Sequence, residues 1–260
     1  MNQHEIQQPL NGPIYDFRAL GFTSGEVVVV TGGGSGIGRA TALTAAKSAL
    51  AVAVWDMDVH GAADTVRAIK AAGGTALAVT VNVGDDAEVA RAWNESAGLG
   101  PCRYLVNNAG PASVSERPFD ENLLLALGSM HRVTNGWMER HGEHAASVVN
   151  MSSVLGNYQG GTSSAFYPTA KAGISGYTRH LALKHGGRPR ANAVAPGFII
   201  TPRTRPYLES EETRTRVARI PAGRMGYPED VAAVVLFLLS PAAAYVNGAL
   251  LPIDGGWGTS

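Results

Sequence analysis

The stretch EVVVVTGGGSGIG, residues 26–38, decides the architecture. A continuous β-branched run closed by glycines is the pattern of a strand buried on both faces. The segment that follows it, 36–48, is Ala-rich and helical in texture. The same alternation continues outward. AVAVWD (51–56) reads as a second strand, and 59–72 as a helix closed by Gly73 and Gly74. TALAVTVNV (75–83) is a third strand, after which Asp85 and Asp86 cap a helix. RYLVNN (103–108), AASVVNMSS (145–153), RANAVAPG (190–197) and GALLPIDGG (248–256) supply four more strands, with helices expected over 121–140, 163–185 and 229–239. Strands and helices alternating at about thirty-residue intervals define an α/β, doubly wound Rossmann domain: one parallel seven-stranded sheet with helices on both faces. The expected division is an arm over 1–24 and one domain over 25–260. Within it the irregular stretch 198–227 is long enough to be a substrate lid.

Composition narrows the function classes. The 260 residues carry 21 Lys+Arg and 21 Asp+Glu. A chain with no basic excess has no general electrostatic hold on a nucleic acid. A hydrophobic content of 45% excludes intrinsic disorder. Cys102 is alone, so neither an internal disulfide nor a cysteine zinc site is expected. The opening MNQHEIQQPL lacks the basic-then-apolar order of a signal peptide, and the apolar stretch 231–239 is too short to cross a bilayer. No membrane association, no metal and a cytoplasmic location are the expectations. Charged residues are only 16% of the chain, and sparse surface charge with no net repulsion favours self-association.

The glycine turn has the context of a phosphate cradle. Between a strand and a helix, glycines allow the tight turn and let a pyrophosphate approach backbone N–H groups at the positive helix end. Asp56 ends the second strand, twenty residues after Gly36. A carboxylate there accepts hydrogen bonds from an adenosine ribose and repels a 2′-phosphate, and no Lys or Arg lies between Gly32 and Gly38 to offset that repulsion. NAD rather than NADP is expected. The competing reading makes Asp56 only the cap of the next helix, a role Asp58 is equally placed to fill.

Tyr167 and Lys171 lie four apart, on one face of a helix. A free tyrosine, with a pKa of about 10, is a poor base at neutral pH. An ammonium at 4 Å, at an effective dielectric of about 20, favours the phenolate by about 4 kcal/mol, before desolvation opposes it. That would make the phenol a usable acid/base for an alcohol or carbonyl. Pairs at this spacing are common on surface helices, so the surroundings matter.

Those surroundings are TGGGSGIG (31–38), NNAG (107–110), NMSSVLG (150–156), YPTAK (167–171), NAVAPGFIIT (192–201), RMGYPEDVAAVVLFLLS (224–240) and VNGALLPIDGG (246–256). Together, in this order, they resemble the short-chain dehydrogenase/reductase superfamily over essentially everything after the arm. The resemblance implies that Gly32, Ser35, Gly36, Ile37 and Gly38 hold the pyrophosphate, and that Asp56, with Met57 beside it, holds the adenosine ribose. Asn82 and Val83 stand where the family usually has Asp-Val against the adenine. Asn108, Ala109 and Gly110 would line the cofactor ribose, and Pro196, Gly197, Ile199 and Thr201 the nicotinamide carboxamide. Tyr167 would be the general acid/base, Lys171 would bind the nicotinamide ribose and lower the tyrosine pKa, and Ser153 would hydrogen-bond the substrate oxygen, with Ser152 as the alternative. The spacing from Ser153 to Tyr167 is one residue longer than the common pattern, which implies an insertion in the loop between them.

One position departs from the family. Where an Asn usually helps hold a water for proton relay to the lysine, this chain has Ala126. Asn122, one turn earlier on the same face, or a backbone carbonyl with an extra water, is the expected substitute.

Between 188 and 224 lie eight of the seventeen arginines, and Arg203 and Arg205 directly follow Thr201. They are placed to pair with an anionic substrate group. The competing reading is a solvated helix balanced by Glu209, Glu211 and Glu212. His131, His141 and His144 are expected at the surface, since no metal-type cluster accompanies them. The resulting expectation is an NAD-dependent oxidoreductase moving a hydride between nicotinamide and a secondary alcohol or ketone. Its alternatives are a non-redox enzyme of epimerase type and a catalytically silent dinucleotide-binding protein. The family also implies a homo-oligomer, tetramer or dimer.

Overall fold

The β-branched runs become the strands of one sheet in the computed structural model, which describes residues 13–159, 164–208 and 210–259. The strands are β1 (Val27–Thr31), β2 (Ala51–Asp56), β3 (Ala76–Thr80), β4 (Cys102–Asn107), β5 (Ser147–Met151), β6 (Arg190–Pro196) and β7 (Leu250–Ile253). All neighbours pair in parallel, in the order β3-β2-β1-β4-β5-β6-β7. Successive side chains of a strand point to opposite faces. Val28 and Val30 therefore enter one core with α1 (Gly36–Lys47), α2 (Val59–Ala71) and α8 (Pro228–Leu239). Val27 and Val29 enter the other with α3 (Asp86–Ser96), α5 (Ser129–His141) and α6 (Phe166–Lys184). Helices on both faces leave the sheet no open side, and this is why its strands read as unbroken apolar runs.

The differences from expectation lie at edges and in non-repetitive parts. The third and last strands are shorter than their apolar runs, because chain beyond Thr80 and Ile253 turns away into hydrogen-bonded loops, with Asp85 N donating to Asn82 O and Trp257 N to Asp254 O. The helix expected over 121–140 is α4 (Phe119–Leu123) and α5 joined by a π-helical turn, Leu124–Gly128. The segment 198–227 is not irregular throughout. It contains α7 (Glu211–Val217) and a small core of its own, in which Leu208, Val217, Ile220 and Met225 pack with Trp257. The described part of the expected arm lies on the domain: Phe22 is buried, and Phe17 packs on the core while its N–H donates to Ser48 Oγ at 2.9 Å. The rest of that arm, 1–12, falls outside the described residues. His141, expected at the surface, is buried against Trp93, with ring centroids 5.6 Å apart, because it closes the inward face of α5. Among the described residues, no helix is long and apolar enough to cross a membrane.

Arg190 is one of the eight arginines between 188 and 224, yet it is buried beneath α8. Its guanidinium donates to the carbonyls of Leu238, Leu239, Ser240 and Val246 at 2.8–3.3 Å, satisfying acceptors at the end of that helix. Arg190→Met leaves those buried carbonyls without their donor. It is expected to cost about 3 kcal/mol of stability, read as a lower urea midpoint.

Candidate functional site

The site is built where the strand order reverses, between the carboxyl ends of β1 and β4, the place where open α/β sheets bind ligands. Thr31 ties the two strands together. Its hydroxyl donates to Val106 O and accepts from the N–H groups of Asn108 and Ala109. Asn108 returns its side-chain amide to the carbonyls of Thr31 and Gly32 at 2.9 and 3.2 Å. The glycine turn rests on this brace. Gly32 has φ +65°, and a Cβ on Gly38 would stand 2.0 Å from Gly32 O, so only a bare backbone lets α1 begin this close to the turn. Ser35, the N-cap of α1, makes no side-chain capping bond. The first amides of the helix, at Gly36, Ile37 and Gly38, are thus uncapped by any side chain and suit an anion.

Asp56 stands at the rim of this cradle. Its carboxylate accepts from Gly34 N at 2.8 Å and from Asp58 N at 3.0 Å, which fixes its orientation while leaving further lone pairs. The cap of α2 is Asp58, whose side chain accepts from His60 N. Met57 is exposed beside it. Asn82 accepts from Gly84 N through its side-chain oxygen and is exposed, and Val83 is half-buried next to it. These residues fit a dinucleotide: an uncapped helix end for the phosphates and an oriented carboxylate for the ribose.

The segment 196–201 closes over the opposite wall. Gly197 packs against Asp254, Ile199 is buried and bridges to Gly226, and Thr201 Cγ2 lies 3.3 Å from where a Cβ of Gly36 would be. Thr201 and Thr204 exchange hydrogen bonds in a tight turn.

Ser153 follows β5, and Tyr167 and Lys171 lie on α6. Lys171 Nζ donates to Met151 O at 2.8 Å, pinning the helix to the strand end. The two candidate serines differ in what they touch. Ser152 Oγ donates to Lys171 O at 2.8 Å, lies 3.1 Å from Ser175 Oγ and accepts from Asn157. Ser153 Oγ accepts from Leu155 N and interacts with the Tyr167 phenol, so it is the hydroxyl that faces the site. Asn157, missed in the sequence, donates to Ser152 Oγ at 3.0 Å and Ser153 O at 2.8 Å, holding both serines. Gly156 has φ +89°, and a Cβ there would meet Pro168 O at 2.1 Å, which is how the serine loop reaches the residue next to Tyr167. Residues 160–163, in the loop where the insertion is expected, lie outside the described residues.

A second missed feature is a buried polar ladder. Asn107 donates to Thr134 Oγ1 and Asn150 Oδ1, and Asn150 donates to Thr178 Oγ1, each at 2.9 Å. It joins the ends of β4 and β5 to α5 and α6, and a periodicity reading sees only polar interruptions in apolar runs.

Ala109, Gly110, Pro111, Ala126, Tyr167 and Lys171 line a small cavity. Ala126 stands on its wall, in the π-helical turn. Asn122 is not among its lining residues. Its amide nitrogen donates to the carbonyls of Arg117 and Pro118 at 2.8 and 3.1 Å, so the geometry directs it to its own loop rather than to Lys171.

Electrostatics at the pair differ from the expectation of a phenol made acidic chiefly by the lysine. Burial pushes the Tyr167 phenol up, and the Ser153 hydroxyl and the Arg203 guanidinium pull it back. Burial, aided by Arg203, pushes the Lys171 ammonium down to about 8. Desolvation acts on both partners here, and the ammonium's hydrogen bond goes to Met151 O.

Residues 22–258 match the sequence model of a family described as enoyl-(acyl carrier protein) reductase. The chain is 38% identical to cis-4-hydroxycyclohexanecarboxylate dehydrogenase of Sinomonas cyclohexanicum, across 89% of this chain and 96% of the relative. It is 36% identical to the 3-oxoacyl-(acyl-carrier-protein) reductase of Thermotoga maritima, across 89% and 97%. Among solved structures, a putative NAD(P)-dependent gluconate 5-dehydrogenase from Beutenbergia cavernae superposes with TM-score 0.84 at 35% identity, covering 91% of this chain and 98% of that one. Levodione reductase superposes with TM-score 0.85 at 31% identity, covering 92% and 100%. The chain belongs to the short-chain dehydrogenase/reductase superfamily. It is an oxidoreductase of the class that interconverts alcohols and ketones.

Proposed function

We propose that the protein is an NAD-linked dehydrogenase of secondary alcohols, with Ser153, Tyr167 and Lys171 as its catalytic set. The observation that carries this reading is the convergence of Ser153 Oγ, the Tyr167 phenol and Lys171 beside an uncapped helix end. When bound, the nicotinamide supplies the hydride acceptor. Ser153 donates a hydrogen bond to the substrate oxygen, and Tyr167 as phenolate takes the carbinol proton while the C–H pair leaves as hydride; in reduction the phenol returns that proton. Lys171, anchored on Met151 O, orients toward the ribose hydroxyls. Gly32, Ser35, Gly36, Ile37 and Gly38 hold the pyrophosphate, Asp56 and Met57 the adenosine ribose, and Asn82 and Val83 the adenine. Asn108, Ala109 and Gly110 hold the nicotinamide ribose, and Pro196, Gly197, Ile199 and Thr201 the carboxamide.

The preference for NAD rests on the Asp56 carboxylate and on Arg39, the nearest cation in sequence after the turn, whose Nη1 donates to Thr65 Oγ1 at 2.9 Å. Relatives act on cis-4-hydroxycyclohexanecarboxylate and L-rhamnose, and one neighbour was solved with NADH and 7-oxo glycochenodeoxycholic acid. The test is a panel of cyclohexanol, 3-hydroxybutyrate and 4-hydroxycyclohexanecarboxylate with NAD and NADP in parallel, read at the NADH absorbance. Asp56→Asn keeps an acceptor for Gly34 N and removes the charge. It is expected to lower the NAD-to-NADP ratio of kcat/KM by about tenfold. A wild type that prefers NADP overturns the assignment. We further propose a homo-oligomer, tetramer or dimer, supported by its sparse charge and the exposed Leu183 and Tyr245.

A further inference from the structure

Three of the eight arginines between 188 and 224 have work elsewhere. Arg190 caps α8, Arg224 pairs with Asp230 at 2.8 Å, and Arg216 lies over the Phe198 ring, 5.8 Å from its centroid. Arg203 does not follow this pattern. It is exposed, and among the described residues it makes no ion pair and no hydrogen bond. Its place is nonetheless fixed. It sits in the turn that Thr201 and Thr204 lock, with Thr204 Oγ1 donating to Ile199 O at 2.8 Å and Arg205 N to Thr201 O at 2.9 Å. That turn packs on the glycine loop through Thr201 and Gly36. Asp254, an acid packed against Gly197 in this wall, has its oxygens on the N–H groups of Gly256 and Gly258. Arg203 stands near enough to Tyr167 and Lys171 for its charge to pull both groups downward.

A rigid turn therefore presents an unneutralised guanidinium to the mouth of a site whose reacting groups are desolvated. We propose that Arg203 is the anion-recognising group of the substrate site, and that the substrate is a secondary alcohol or ketone bearing a carboxylate away from the reacting carbon. A guanidinium matches a carboxylate with two parallel N–H···O bonds, and the match gives orientation as well as affinity. The inference rests on the dehydrogenase reading above and names the substrate class of that same site. The same guanidinium chemistry would also suit a cofactor phosphate, and the experiment separates the two.

The probes are 3-hydroxybutyrate and 4-hydroxycyclohexanecarboxylate, each compared with its methyl ester. Wild type is expected to favour each acid over its ester in kcat/KM. Arg203→Met is expected to reduce that acid-to-ester ratio by about ten- to hundredfold, and Arg203→Lys by less, since it keeps the charge without the fork. Any change in the Tyr167 phenol that follows loss of the guanidinium affects acid and ester alike and divides out of the ratio. A second arm needs no turnover: cyclohexanecarboxylate and its methyl ester are titrated calorimetrically into the protein–NADH complex. The acid is expected to bind wild type about tenfold or more tightly than Arg203→Met, with the ester indifferent to the change. An unchanged ratio together with equal binding of the acid overturns the proposal. So does a loss of NADH affinity in Arg203→Met as large as the loss for the acid, which assigns the guanidinium to the cofactor. Oxidation of the neutral esters reports on the dehydrogenase reading itself, so its failure is distinguishable from that of Arg203.

Discussion

Tyr167→Phe is expected to lower kcat by about 10²–10⁴-fold while leaving NADH affinity within about twofold of wild type. The substitution removes one oxygen and keeps the ring that packs beside Phe166, so the fold has no reason to respond. The pH profile supplies a second readout. Alcohol oxidation needs the phenolate and rises as pH climbs through the Tyr167 pKa, which burial places on the high side. Carbonyl reduction needs the protonated phenol and falls over the same range. The Lys171 ammonium, pushed down to about 8, is lost at lower pH than the phenol, so its titration forms a separate limb below that of Tyr167. The residual activity of Tyr167→Phe should lack the phenol's limb of the profile. A variant as fast as wild type, with an unchanged profile, removes Tyr167 from the chemistry.

The largest effect on binding is expected from Gly38→Ala. The new methyl would lie 2.0 Å from Gly32 O and 2.7 Å from Asn108 Nδ2, and the first of these is backbone that cannot swing aside. Helix α1 must then retreat from the turn, which withdraws its uncapped amides from the phosphate position. Overpacking of this kind costs about 1–3 kcal/mol of stability. Loss of several aligned amide donors should weaken NADH binding by about a hundredfold, measured by quenching of protein fluorescence. Gly98→Ala is the control, because a methyl there meets nothing within 4 Å. If Gly38→Ala binds NADH like Gly98→Ala, the turn is not the phosphate cradle.

How much was legible in the chain depended on whether the signal was local. The run 27–31, the glycines after it and Asp56 are readable because a parallel strand buried on both faces has to be apolar throughout, and because close backbone approach tolerates only glycine. The ladder from Asn107 to Thr178 was not readable, since its partners lie on different elements up to 43 residues apart along the chain; Asn157 holds serines only four and five residues away, but in an irregular loop with no periodicity to mark it. The π-helical turn at Leu124–Gly128 has no periodicity to betray it, and the core of the segment 198–227 is closed by Trp257, from the far end of the chain.

Sequence alone thus determined the sheet, its connectivity class and the glycine turn, and it singled out Ser153, Tyr167 and Lys171 as the proposed set, because alternating burial and a resemblance carried by seven ordered motifs are properties of residue order. Tertiary structure decided which serine hydroxyl is turned toward the phenol, that the Asn122 amide nitrogen is spent on its own loop, and that among the clustered arginines Arg203 stands near Tyr167 and Lys171. Those outcomes depend on which groups meet across the fold and on how much water remains around them, and neither quantity is encoded in any one stretch of chain.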